Sequence, residues 1–468
     1  MLTKTSYLAF DHCPKAFWVA EHRPDLIEPS ELDPYTQMLV ADGFEFERLA
    51  SAVYRLTAEG SVFAQKEIKA EGCVAVFDLL HRSTDGFVTG VEIKSATQPN
   101  EHLIDAAYQW EVARRAGHPL DRMIIAHARG DYVFQNALNP AELVAFEDVT
   151  KAIGMIAGEI SEGIDRARDL LQQPEIDLRG CSCRHLGNVK RRCPAFHALN
   201  PDIGERSAHL LPRISAQKLK EWDEEGRLDI EHVQVGEVTK TQSAALKAVQ
   251  TGQPMIDRGA LKTFLDRLEW PLYFYDYETT AAAIPVADGH RPHVAVPVQF
   301  SVHVLFKDGQ LDHHEYLSMT SGDEDDLTNS LAGAIGSTGS CLVWNAAFEK
   351  GCNRRLAEIV PTSSDFLGDL NARTVDLMIP FKKAYVDPAF AGSVSIKKVL
   401  PALCPHLQYD ETRVHDGAGA MVAWRRMIAS RSSIERQRLA AELRSYCHLD
   451  TLAMVEIFKF LRSCVDVH

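Results

Sequence analysis

Tyr273-Phe274-Tyr275-Asp276-Tyr277-Glu278-Thr279 sets two carboxylates inside an apolar run, and its reading decides the fold of the C-terminal half. A short aromatic run of this kind predicts a buried strand, here Leu272 to Tyr277. Side chains two apart on a strand leave by the same face, so Asp276 and Glu278 converge. Further along stand Asn345-Ala346-Ala347-Phe348-Glu349 and Tyr446-Cys447-His448-Leu449-Asp450. Residues four apart on a helix share a face, so Tyr446 and Asp450 point together. Four carboxylates aimed at one spot repel one another unless a cation lies between them. Mg²⁺ and Mn²⁺ are hard ions that take oxygen ligands. The pattern implies a two-metal phosphodiesterase site with ions ~4 Å apart. Asp276 is expected to bridge the ions, with Glu278, Glu349 and Asp450 completing the shell and Tyr446 orienting the attacking water.

Working outward, residues 298–305 and 311–317 read as a hairpin around Asp308-Gly309, and Cys341 to Trp344 as a strand leading into the Asn345 turn and helix. Glu435 to Leu461 reads as a long helix that delivers Tyr446 and Asp450. Asp376 is a further acid with a structural role. The three acidic motifs resemble those of the DnaQ-like DEDD exonuclease superfamily on an RNase H-like fold. The Tyr-x-x-x-Asp third motif is similar to its tyrosine subclass. Ser395-Ile396-Lys397-Lys398 resembles the helix start that precedes this motif. In the second motif, Glu349 stands where the family carries Asp, one methylene further out.

At 468 residues the chain exceeds one ordinary core and implies two or three domains. A hydrophobic fraction of 46% with 25% charged residues is that of a soluble globular protein. No apolar stretch approaches the roughly 20 residues of a membrane helix, and Met1-Leu2-Thr3-Lys4-Thr5-Ser6 lacks a signal-peptide core. A cytoplasmic protein without membrane partners is therefore expected. The net charge of −15 does not advertise nucleic-acid binding, although nucleases gather acids at the metal and bases along a groove. Lys190-Arg191-Arg192, Lys397-Lys398 and Arg425-Arg426 are the local basic runs, each a solvated face or a phosphate contact.

In the N-terminal half, residues 62–95 read as a small meander, with Asp85-Gly86 turning the hairpin between Leu79-Leu80-His81 and Phe87-Val88-Thr89. Glu92 and Lys94 in Gly90-Val91-Glu92-Ile93-Lys94 share a face, and Asp78 ends a neighbouring strand. An Asp followed by Glu-x-Lys on the next strand resembles the core of a PD-(D/E)XK nuclease. The resemblance implies that Asp78 and Glu92 hold Mg²⁺ or Mn²⁺, and that Lys94 positions the nucleophilic water and balances developing charge. Gly43-Phe44-Glu45-Phe46-Glu47 looks like the opening of a helix similar to an element of RecB-type nucleases, which makes Glu47 an extra ligand. His102 to Gly117 reads as a helix with Gln109 at its centre. Gln109 matches the glutamine of the RecB fourth motif and is expected at the rim, holding a phosphate or the lysine. The tyrosine of that motif is replaced by Ala113. Without these neighbours, Glu92 and Lys94 would read as an ordinary surface pair.

Ten cysteines in a chain this long do not form a disulfide framework. Cys13 precedes the nuclease-like core, and Cys181, Cys183 and Cys193 follow it. That placement resembles the iron–sulfur staple of RecB-like exonucleases of the CRISPR-associated type, which implies a [4Fe–4S] cluster. The Cys-x-Cys spacing departs from that type. Zn²⁺ is the alternative, and core thiols without a metal the remaining one.

Residues 198–257 read as a small helical connector, with Ser215 capping one helix and residues 241–249 forming another. The expected architecture is α/β (α+β). Residues 1–200 form a restriction-endonuclease-like domain with the cysteines, 201–264 the connector, and 265–468 an RNase H-like domain. The whole resembles a bacterial family that fuses a RecB-like nuclease to a DnaQ-like domain. Three readings compete: a metal-dependent nuclease acting exonucleolytically on DNA or RNA through two sites, a nucleic-acid-binding scaffold in which one or both sites have decayed, and an iron–sulfur protein without catalysis.

Overall fold

The structure, a computed structural model, describes residues 1–27, 33–408, 414 and 416–466. It is a mixed α/β protein built around two five-stranded sheets. The first contains β1 (Ser61–Ala70), β2 (Cys73–Arg82), β3 (Val88–Lys94), β4 (Arg122–Ala128) and β5 (Val144–Asp148), adjacent in that order. All neighbours run antiparallel except β3 and β4, which are parallel. The β2–β3 turn places Gly86 at φ 92°, the left-handed region that glycine enters without a Cβ penalty.

Helices Leu103–Arg115 and Thr150–Gln172 cover one face of this sheet around Phe77, Tyr108, Met123 and Ile164. Phe46 and Ala50 of helix Pro34–Thr57 meet Leu79, Val91 and Ile93 in a second core. That helix begins well before Gly43, which lies in its interior. Asp33 accepts the Tyr35 and Thr36 amides at 3.0 and 3.1 Å, and Pro34 follows at the first position, where its missing N–H costs nothing.

A short strand, β6 (Met255–Ile256), belongs to the connector. The second sheet holds β7 (Leu272–Thr280), β8 (Val296–Leu305), β9 (Leu311–Leu317), β10 (Ser340–Val343) and β11 (Thr374–Asp376), in the order β9-β8-β7-β10-β11. The first three are antiparallel, whereas β10 runs parallel to both β7 and β11. Strand β12 (Tyr385–Val386) pairs with β6 and ties the connector to this half.

Alternation along β7 separates two cores. Leu272 and Phe274 pack with Met454 and Phe458 of helix Ser433–Asp466, the Phe274 and Phe458 rings 5.6 Å apart. Tyr273, Tyr275 and Tyr277 pack with Leu327, Leu356 and Leu370 on the opposite side. Asp276 and Glu278 continue the Leu272–Phe274 face, towards the long helix. Each large apolar side chain so buried contributes roughly 1.5–3 kcal/mol.

The connector helices Ala216–Glu224 and Lys240–Thr251 enclose Leu219, Trp222 and Leu246. Ser215 caps the first by accepting the Lys218 amide at 3.2 Å. Helix Arg258–Leu265 buries Leu261 in the C-terminal core. Among the described residues no helix is long and apolar enough to cross a membrane.

The two halves are docked together. Arg425 of helix Gly417–Ala429 donates two hydrogen bonds of 2.6 Å to Asp42. Residues 281–295, between β7 and β8, lie against the N-terminal half: the Gly289 amide donates to the Phe134 carbonyl and the Phe134 amide to the His290 carbonyl, both at 3.0 Å, and His293 meets the Ser95 carbonyl at 2.7 Å.

Candidate functional site

Two acidic centres and one thiol centre are formed. In the C-terminal half, Asp276 and Glu278 leave β7 on one face, and Asp450 descends on them from helix Ser433–Asp466. Each of the three offers a carboxylate oxygen, and these oxygens lie within 4.8 Å of one another. Glu349, on the first turn of helix Ala346–Ile359, contacts the Asp276 side chain rather than joining this closest set. Its Oε2 is buried without a hydrogen-bond partner. Tyr446 lines the same cavity of about 390 Å³, together with Phe348, Met421 and, from the N-terminal half, Tyr35.

The electrostatics are those of carboxylates held without their counter-charge. Burial, then Asp450, pushes Asp276 well above the ordinary carboxylate range, and the same two causes act on Glu278. Lys397 opposes the shift at Glu278, and Asp416 reinforces it. Burial pushes Glu349 up to about 8, with Asp376 adding to it. A buried carboxylate oxygen with no donor suits a cation ligand, because water is excluded and nothing else compensates its charge. These residues fit a divalent, oxygen-ligated ion.

In the N-terminal half, Asp78 on β2 and Glu92 and Lys94 on β3 come together. Lys94 Nζ lies 3.0 Å from Glu92 Oε1 and 2.6 Å from Asp105 Oδ2. Asp78 Oδ2 accepts the Ile93 amide at 2.7 Å. Gln65 Nε2 donates to Glu47 at 2.7 Å and to Asp78 at 3.3 Å, which brings the predicted Glu47 to the group. Burial raises Asp78 to about 7, with Glu92 and then Glu47 contributing. Asp105 resists its own burial and is held down at about 2 by hydrogen bonds from His102 and Lys94.

Gln109 is not at the rim. It is fully buried, and its amide donates to Glu92 Oε2 at 2.6 Å and to the Val76 carbonyl at 2.9 Å. Helix Leu103–Arg115 packs flat on the sheet, so a residue at its centre points into the core beneath the site. Gln109 therefore orients Glu92 and reaches no phosphate.

Three participants escaped the sequence reading. Lys4 of helix Lys4–His12 donates to Glu92 Oε1, 88 residues away, and no local pattern signals it. Gln65 adopts φ 49°, a left-handed backbone that nothing in the sequence marks. Asp105 lies one helical turn before Gln109, and that spacing was the available clue. Of the basic runs, Arg425 is consumed by Asp42, and Arg192 stacks over Phe196 at 4.2 Å.

Cys13 sits between helices Lys4–His12 and Pro14–His22, and its Sγ lies with those of Cys181, Cys183 and Cys193 within 4.8 Å. Cys181 and Cys193 are 3.9 Å apart. Apolar side chains including Trp18, Val19, Phe196 and Leu199 enclose the group. Hydrogen bonds from Cys181 and Cys193 pull the Cys13 thiol down, and the same sharing pushes Cys193 up. The four thiols are close enough together for one metal ion to be held by all of them, and they join the start of the N-terminal half to residues 181–193.

A family model described as "Domain of unknown function (DUF2779)" matches residues 273–395. The matched stretch includes Asp276, Glu278 and Glu349 and stops before Tyr446 and Asp450. No curated protein matches the chain.

Without a cation, the raised carboxylates make stability depend on pH. The native state keeps protons on Asp78 up to about 7 and on Glu349 up to about 8, whereas the unfolded chain has released them near pH 4. The folded form thus binds more protons across that window, and stability falls as pH rises through it. In EDTA, the melting temperature should drop between about pH 6.5 and pH 8.5, above the titration range of buried imidazoles. Mn²⁺ should restore it, and the double variant Asp78→Asn/Glu349→Gln should make the profile shallower, with Asp276 and Glu278 sustaining the remaining slope. A wild-type profile already flat in EDTA would contradict these assignments.

Proposed function

We propose that this protein is a divalent-cation-dependent nuclease hydrolysing phosphodiester bonds of DNA, with RNA as the second substrate to be tested. The observation that carries the reading is the convergence of Asp276, Glu278 and Asp450 beside Glu349, whose buried oxygen has no donor. The C-terminal strand order, an antiparallel trio extended by two parallel strands, is what an RNase H-like fold requires. In the N-terminal half, the mixed sheet with Asp78 and the Glu92–Lys94 pair on adjacent strands agrees with a PD-(D/E)XK core.

Mg²⁺ or Mn²⁺ bound by these carboxylates would supply Lewis-acid stabilisation of the phosphoryl oxygens and an acidified water. The side chains do the rest. Asp276, Glu278 and Asp450 would hold the ion between β7 and the long helix, and Glu349, in contact with the Asp276 side chain, would add a further oxygen. Tyr446 lines the cavity, from which its hydroxyl would orient water. In the second centre, Lys94 is held between Glu92 and Asp105, so its ammonium remains charged and can balance the developing phosphorane charge.

The two centres differ in readiness. Both oxygens of Glu92 are already engaged, Oε1 by Lys4 and Lys94 and Oε2 by Gln109. This internal counter-charge favours a second reading for the N-terminal half alone, a closed ion-pair network that binds nucleic acid without cutting it. Lys4→Ala separates the two readings: a working site gains metal affinity, and a structural network only loses stability.

For the thiol group we propose Zn²⁺. Tetrahedral Zn²⁺ with bonds of about 2.3 Å sets its sulfurs about 3.8 Å apart, close to the Cys181–Cys193 spacing. A four-iron cubane spreads its thiolates wider. Anaerobically purified protein should be colourless and carry zinc that is lost in Cys183→Ser. A brown protein with about four irons per chain would reverse the choice in favour of the cluster.

The test of function is hydrolysis of end-labelled single- and double-stranded DNA and RNA with Mg²⁺, Mn²⁺ or EDTA. Asp276→Asn should abolish the C-terminal activity without altering the fold. In that background, Lys94→Ala should lower any remaining hydrolysis by about 10²- to 10³-fold while Mn²⁺ still binds. Cleavage that is unchanged in the Asp276→Asn/Lys94→Ala double variant would overturn the proposal.

A further inference from the structure

Three histidines outside the carboxylate centres form a cluster of their own. His303 on β8 and His313 on β9 are direct cross-strand partners. His448 meets them from helix Ser433–Asp466, opposite the helix face that carries Tyr446 and Asp450. The three rings touch pairwise, with centroids 4.5, 4.7 and 4.3 Å apart. Each offers a ring nitrogen, and the three nitrogens lie within 4.8 Å of one another. His303 is 2% exposed, whereas His313 and His448 are half-buried, so the group opens to solvent on one side.

The surrounding hydroxyls arrange the lone pairs. Thr451 Oγ1 lies 3.1 Å from the His448 carbonyl and 3.4 Å from that of Cys447, helix carbonyls that can only accept and so draw its single hydrogen. Its oxygen then accepts from His303 Nδ1, 2.8 Å away, which leaves the lone pair of His303 on Nε2. This is the arrangement by which a neighbouring group orients a metal-binding imidazole. Ser301 Oγ completes the network at 2.7 Å from Thr451 Oγ1 and 2.9 Å from His313 Nε2. His448 Nδ1 and His313 Nε2 face each other at 3.3 Å. Either one hydrogen is shared between them or both lone pairs turn to a common cation.

We propose that His303, His313 and His448 bind a Zn²⁺-class transition ion, separate from the carboxylate centres and from the four thiols. Neutral imidazoles select such an ion, whereas the carboxylates nearby select Mg²⁺ or Mn²⁺. Its place gives it a task. The ion fastens the long helix to β8 and β9 within the turn that carries Tyr446 and Asp450, and so holds those two residues against β7. Thr451 acts as a positioning residue through His303.

Co²⁺ titration of the full-length chain, anaerobic and with excess Mg²⁺ to saturate the carboxylates, tests this. Wild type with its thiol site filled by Zn²⁺ should bind one equivalent with visible d–d bands and no sulfur charge-transfer, and further Zn²⁺ should displace it. His313→Gln, at a half-buried position where no cavity opens, should lose that equivalent and the rise in melting temperature that Zn²⁺ gives the wild type. Thr451→Val should keep the stoichiometry but weaken affinity by about 10- to 100-fold. Identical Co²⁺ stoichiometry and spectra in wild type and His313→Gln would overturn the site.

Discussion

Like charges held in a dry place dominate this molecule. Two carboxylates 4.8 Å apart repel by about 3 kcal/mol at the effective dielectric of a protein interior. Three such pairs among Asp276, Glu278 and Asp450 approach the whole net stability of an ordinary domain. The chain tolerates this because β7 is gripped from both faces, by Phe458 against Phe274 on one and by Tyr273, Tyr275 and Tyr277 on the other. Packing therefore forces the acids together, and protons or a cation must then relieve them. The raised proton affinities of Asp276, Glu278 and Glu349 record that compulsion. On the proposed reading such a site would carry its affinity for a divalent ion in advance, since the three carboxylates are already assembled.

Helix Pro34–Thr57 extends the same logic across the molecule. Tyr35, near its start, lines the C-terminal acidic cavity; Asp42 takes the bidentate grip of Arg425; and Glu47 reaches the Gln65–Asp78 contact. One rigid rod thus touches both acidic centres. Residues 281–295 run alongside it, leaving β7 just beyond Glu278 and meeting the Ser95 carbonyl one residue beyond Lys94. The Asp42–Arg425 pair is half-buried and bidentate, the type whose rupture leaves an uncompensated charge rather than merely a lost contact. The two centres sit on one docked body.

Much of this was legible because period and spacing are local properties. The alternation in β7, the Asp308-Gly309 hairpin, the Ser215 cap and the i, i+4 relation of Tyr446 and Asp450 all follow from short-range rules, and the structure has them. The four distant cysteines also meet, which spacing alone left open among cluster, zinc and plain thiols. What failed depended on tertiary packing. The sequence puts Gln109 at the rim because a helix centre has no depth in sequence, yet the sheet buries it. The helix holding Glu47 starts at Pro34, since the Asp33 cap outweighs the interior Gly43. Lys4 and Gln65 were invisible, one through sequence distance and the other through its backbone angle. The histidine cluster hid in plain view: His448 lies inside the Tyr446–Asp450 motif, but its partners are set by β8–β9 register.

The central claim is that the buried carboxylates are cation ligands. Anomalous diffraction from crystals grown with Mn²⁺ tests it most directly, because it locates the ion independently of turnover. The account predicts manganese peaks within bonding distance of Asp276, Glu278 and Asp450, with Glu349 Oε2 turned towards them, and their loss in Asp276→Asn. Wild-type crystals in saturating Mn²⁺ with no peak at these residues, their carboxylates hydrogen-bonded to one another instead, would contradict it.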